Sequence, residues 1–112
     1  MYSPWGFVQS KITLSPYVYC VDTPSHGGIM VAIKTAEDIL TADALKYSFK
    51  YGEYYCFEED CDAPIVYREL MDKGLYKPPV DGYFAAGEFE KCIDDELKTL
   101  RPDYWQARLK RL

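Results

Sequence analysis

The strongest constraint in this chain is the order in which its hydrophobic periods occur. Up to residue 58, apolar residues come in short runs broken by turn chemistry; after residue 62 they recur every three or four positions. Strands first and helices later points to an α+β fold rather than to alternating α/β units. Trp5 to Leu14 alternates loosely and reads as a strand or a bent hairpin arm. Tyr17 to Asp22 is β-branched and aromatic, and Ile29 to Ile33 is a short buried strand. Ser15-Pro16 and Thr23 to Gly28 are turns, the two glycines being expected to supply positive φ. These three strands form an antiparallel meander.

Thr35 to Phe49 reads as a helix capped by Thr35 or Thr41 and stopped at Gly52. Glu53 to Phe57 is a further strand with both faces apolar, placed centrally in the sheet. Asp62 is positioned as an N-cap, followed by a stripe of Ala63, Val66, Tyr67, Leu70 and Met71 that Gly74 closes. Leu75 to Tyr83 is irregular, whereas Ala85 to Leu100 repeats Phe89, Cys92, Ile93, Leu97 and Leu100 at helical spacing. Pro102 interrupts it, and a last helix aligns Trp105, Leu109 and Leu112. The expected fold is a mainly antiparallel sheet of about four strands with three to four helices, the helices concentrated in the C-terminal half.

At 112 residues the chain has room for one core, so residues 1–112 form one domain. With 48% hydrophobic residues it is globular rather than disordered. Eleven Tyr, five Phe and two Trp can fill a core or furnish a contact surface. No charged and apolar leader opens the sequence, and no apolar run is long enough to span a bilayer, so a cytoplasmic location with reduced thiols is expected. The four cysteines read as small buried hydrophobes; their spacing does not suit zinc.

The net charge of −5 argues against direct nucleic-acid binding, which requires clustered Lys and Arg. Residues 101–112 are the exception. Arg101, Arg108, Lys110 and Arg111 face Asp103 alone, a surplus of three that leaves residues 1–100 at −8. Such a basic amphipathic tail would contact nucleic acid, a partner helix or the acidic part of its own fold.

The most unusual stretch is Glu58-Glu59-Asp60-Cys61-Asp62, four carboxylates in five residues directly after a buried strand. Their repulsion must be offset by solvent, a helix N-terminus, a cation or an Arg-bearing partner. The Gly-spaced calcium loop is absent. His26 is the single histidine, so any imidazole chemistry must use it. A fold that brings it to the acidic segment would form a His–carboxylate dyad; otherwise it is an exposed turn residue. No nucleophile motif accompanies it.

Three segments together resemble a family of small, uncharacterised domains of bacterial, plasmid and phage genomes. Trp5-Gly6-Phe7-Val8-Gln9 is similar to its opening W-G-x-V-Q, Ser25-His26-Gly27-Gly28 to its H-G-G turn, and Tyr55 to Asp62 to its E-E-D-C-[DE] segment. The resemblance runs over residues 5–72. Ala63-Pro64 departs from the family's aromatic residue and alanine. The resemblance carries no activity and implies an accessory role in a mobile element.

The leading expectation is an acidic protein-interaction module that binds, and would inhibit, a host defence or nucleic-acid-handling protein. Its contact residues would be His26, Glu58, Glu59, Asp60 and Asp62 with Tyr54 and Tyr55. No cofactor or catalytic residue is assigned. The alternative is a small enzyme or metal-binding protein in which His26 works with Glu58 to Asp62.

Overall fold

The computed structural model describes residues 1–112 and has the expected α+β architecture. A five-stranded antiparallel sheet is built from β3 (Ser10–Ser15), β4 (Val18–Asp22), β5 (Gly27–Ala32), β6 (Phe49–Tyr51) and β7 (Tyr54–Glu58) in the order β3-β4-β5-β7-β6. A two-stranded ribbon, β1 (Tyr2–Ser3) with β2 (Gly6–Phe7), precedes it. The helices are α1 (Ile33–Ile39), α2 (Ala42–Leu45), α3 (Ala63–Asp72), α4 (Glu88–Leu100) and α5 (Pro102–Arg111).

The meander β3-β4-β5 forms as expected, and Pro16 followed by Tyr17 at φ +65° gives its first turn the order of a type II turn. The segment 35–49 differs from expectation. Instead of one helix it holds α1 and α2, and Phe49–Tyr51 becomes edge strand β6. Thr41 caps α2, accepting from the Ala44 N–H at 3.1 Å, so the chain restarts a helix there rather than continuing one. Gly52, at φ +57°, turns β6 into β7 and stops no helix. β7 is therefore next to the edge, although Cys56 and Phe57 are fully buried on its opposite faces.

Gly74 does end α3, at φ +69°. Its N–H donates to Met71 O and that of Leu75 to Leu70 O, the paired bonds of a Schellman cap. α4 starts later than expected because Gly87 takes φ +80° ahead of it. Cys92 and Leu100, expected on its apolar stripe, are exposed; Ile93 and Leu97 carry the burial. In α5 the inward residues are Tyr104 and Arg108, while Leu109 and Leu112 face solvent.

One sheet face packs Ile29, Val31 and Phe57 against Ile65, Val66, Leu70, Leu97 and Tyr104 of the helices. The opposite face holds a smaller cluster of Val21, Met30 and Cys56, covered by Trp5, Val8, Tyr19 and Tyr54.

The three arginines of the basic C-terminal segment are paired with the chain's own carboxylates. Arg101 Nε donates to Asp62 at 2.7 Å, Arg108 binds both oxygens of Asp72 at 2.8 Å, and Arg111 reaches Asp43 at 2.7 Å and Glu69 at 3.2 Å. Burial alone would raise the Asp72 carboxyl, but the Arg108 and Arg68 guanidiniums outweigh it and hold it below its ordinary value. Two charged residues of α3 lie inside, Arg68 at 5% exposure and Glu69 at 2%. Arg68 is held by Asp94 and Glu90 at 2.7 and 2.9 Å. Glu69 accepts from the Tyr104 hydroxyl at 2.5 Å and from the Thr41 N–H at 2.7 Å. Breaking one partner of such a buried set costs about 3–5 kcal/mol, because the survivors are left unpaired in low dielectric. α5 is thus latched to α2 and α3 by charge as well as by Tyr104.

Candidate functional site

His26 stands at one end of the sheet, in the loop between β4 and β5, and Thr23 fixes that loop. The Thr23 N–H donates to the His26 carbonyl at 2.9 Å, and Thr23 Oγ1 accepts from the His26 N–H at 3.1 Å. β7 runs antiparallel to β5 with Glu58 opposite Gly28, so the acidic segment leaves the sheet beside His26. The Glu59 N–H donates to Gly27 O at 3.2 Å, extending the pairing one step.

The two glycines after His26 supply space rather than the positive φ that a turn would need; they are strand residues and neither takes that conformation. A Cβ on Gly27 would lie 2.5 Å from Val21 O, 2.9 Å from Asp22 Oδ1 and 3.0 Å from Glu59 Oε2. A Cβ on Gly28 would fall on Phe57 O and on the Trp5 indole. Gly27 therefore lets the Glu59 carboxylate lie against the strand, and Gly28 seats Trp5.

The result is a cluster. His26 Nδ1 is 3.1 Å from Glu59 Oε1 and Nε2 is 3.3 Å from Glu58 Oε1, with side-chain exposures of 30% for His26, 42% for Glu59 and 44% for Glu58. Asp60 joins them: ligand atoms of His26, Glu59 and Asp60 all lie within 4.8 Å of one another. No Lys or Arg forms an ion pair with Glu58, Glu59 or Asp60; the single histidine faces all of that charge.

The other expected site residues divide. Asp62 occupies the N-cap position of α3 but makes no capping bond, because its carboxylate is turned to Arg101. That hydrogen bond also raises the Arg101 guanidinium above its ordinary value. Tyr55 points to the helical face with Lys50 5.5 Å above its ring, and so does not join the cluster. Tyr54 lies on the outer face against Tyr19, at the far end of β7 from Glu58.

Trp5 and Phe49, which were not among the expected site residues, belong to the site. Trp5 packs edge-on to His26, ring centroids 6.2 Å apart, and to Phe49 at 6.1 Å. Phe49 and Tyr51 on β6 are exposed, as are Tyr2 and Phe7 of the ribbon, whose rings meet at 5.2 Å. The signal for Trp5 was present in the chain as a large ring and a distant pair of glycines, but nothing local connects the two.

The surface depressions lie elsewhere. The largest, of about 520 Å³, is at the opposite end of the sheet and is lined by Tyr17, Ala32, Ile33, Lys34, Glu37, Glu53 and Tyr54. Another is rimmed by Thr41, Glu69, Asp72 and Arg108. None of the four depressions includes His26 or the acidic segment. No helix is long and apolar enough to cross a membrane.

No curated protein and no solved structure matches the chain. A family model does match, and it runs over the C-terminal helices as well as the sheet. Spanning residues 1–112, it shows that the chain belongs to the family described as Domain of unknown function (DUF7007).

Proposed function

We infer that this chain is a protein-binding module whose contact surface is the outer sheet face around Trp5, Phe49 and Tyr51, continued by Glu58, Glu59 and Asp60. The observation that carries the reading is that Trp5 and the exposed Phe49 adjoin, through His26, carboxylates that no Lys or Arg of the chain neutralises. Aromatic rings give large contact area at low entropic cost, and an unneutralised anionic rim selects a partner of opposite sign. The partner chemistry that fits is the Arg- and Lys-rich groove of a nucleic-acid-handling protein. A mobile-element accessory protein that blocks such a groove would inhibit a host defence enzyme, and would act in the cytoplasm with its thiols reduced. The basic tail offers little to a nucleic acid, since Arg101, Arg108 and Arg111 are already paired.

A small enzyme built on the His26–Glu59 pair would need a concave site there, and the depressions lie at other places on the surface. The test is capture from a lysate of the encoding organism. The chain is compared with a Glu59→Lys/Asp60→Lys variant and with Phe49→Ala, at low and moderate salt. A stoichiometric basic partner lost in both variants, with affinity falling as salt rises, is the expected result. Equal capture by all three proteins, or no stoichiometric partner, would refute the reading.

A further inference from the structure

The geometry points to a divalent first-row metal site on His26, Glu59 and Asp60, with manganese(II) or zinc(II) as the fitting cation. The donors are one imidazole nitrogen and two carboxylates, a mixed N/O set that suits these ions better than the all-oxygen shell of calcium or magnesium. In a coordination sphere with bonds of about 2.0–2.2 Å, neighbouring ligand atoms stand roughly 2.8–3.1 Å apart when it is octahedral and roughly 3.3–3.6 Å apart when it is tetrahedral. The His26 Nδ1 to Glu59 Oε1 separation, an ion-pair contact of 3.1 Å, has the length of an octahedral edge. The ligand atom of Asp60 lies within 4.8 Å of the other two and supplies the third donor. Asp60 is exposed and is held by no ion pair or side-chain hydrogen bond that would oppose this.

Glu58 takes the other ring nitrogen: its Oε1 stands 3.3 Å from Nε2, while Glu59 stands at Nδ1. A metal-bound histidine characteristically has a carboxylate on its second nitrogen, which sets the tautomer and makes the ligating nitrogen more basic. Thr23 holds the His26 backbone, and the Trp5 ring packs edge-on against the imidazole. Gly27, by lacking a Cβ, leaves the place that Glu59 occupies. Three protein ligands leave positions for water or for a group from a partner.

This site does not depend on the protein-binding reading, and the two are separable. A bound cation cancels charge in the acidic strip, so capture of a basic partner in chelator tests that reading without metal.

The probe is manganese(II), a hard ion that the free thiols Cys61 and Cys92 bind poorly. It is titrated into the untagged full chain while the imidazole resonances of the single histidine are followed. The expected result is saturable binding of one ion per chain, with paramagnetic broadening centred on His26. Asp60→Asn and His26→Asn should each weaken it at least tenfold, with unchanged unfolding temperature for Asp60→Asn, and Glu37→Gln on α1 should leave it unchanged. Binding that Asp60→Asn leaves intact, or no saturable binding at millimolar manganese(II), would overturn the assignment.

Discussion

Replacing Gly28 by alanine tests how the two ends of the first sixty residues are joined. The new methyl would sit closer than 3.0 Å to the Phe57 carbonyl oxygen and to Cη2 and Cζ2 of Trp5. These obstacles differ in kind. The carbonyl belongs to the β5–β7 ladder and can retreat only by lengthening its hydrogen bonds, whereas the half-buried indole can be pushed off the sheet. Overpacking of this sort costs about 1–3 kcal/mol, and a backbone obstacle puts Gly28→Ala in the upper half of that range. For a domain of this size that is a fall of roughly 8–12 °C in Tm. Trp5→Ala alone should cost about 2–3 kcal/mol, less than a fully buried tryptophan because Trp5 is partly exposed. If displacement of the indole is part of the Gly28→Ala penalty, the double variant pays that part once. Urea unfolding followed by far-UV circular dichroism should then give a coupling of about 1 kcal/mol between the two positions. Additivity within about 0.5 kcal/mol would refute the claim that Gly28 exists to seat Trp5.

Two further outcomes follow from burial and charge. Asp72 is held below its ordinary value of 3.8, so it stabilises the fold while ionised; that contribution is complete above about pH 5 and is lost as the pH falls through the lower folded-state value. Acid unfolding of the wild type and Arg108→Met, followed by circular dichroism between pH 2 and 6, should show a shallower acid dependence in the variant. In the native protein at pH 8, a disulfide-exchange reagent should titrate Cys61 and Cys92 fast and spare the other two thiols until denaturant is added. Cys56 is fully buried and its thiol is pushed up to about 12, and Cys20 is likewise raised by burial.

The α+β class, the β3-β4-β5 meander and the cores of α3 and α4 were legible because each rests on local periodicity and turn chemistry. Helix α3 shows where that reading stops. Its stripe of Ala63, Val66 and Leu70 follows from spacing, but Arg68 and Glu69 are buried too, since Asp94, Tyr104 and Thr41 arrive to pair them. The same holds for Thr35 to Phe49. Helical spacing of Leu45 and Phe49 was real, yet β7 offered Phe49 a sheet edge, and ladder bonds across Cys56 prevailed over a marginal helical turn.

The sequence alone determined that a short-strand half precedes a helical half, that Gly74 would close α3, and that four carboxylates crowd together after a buried strand. Those features arise from neighbours in the chain, where backbone conformation and side-chain spacing act over a few residues. Only the tertiary structure decided that His26 meets Glu58, Glu59 and Asp60, that Asp62 and the basic tail satisfy each other, and that Gly27 and Gly28 are there for room rather than for turning. Each of those depends on strand register or helix docking between residues far apart in sequence, which local pattern does not encode.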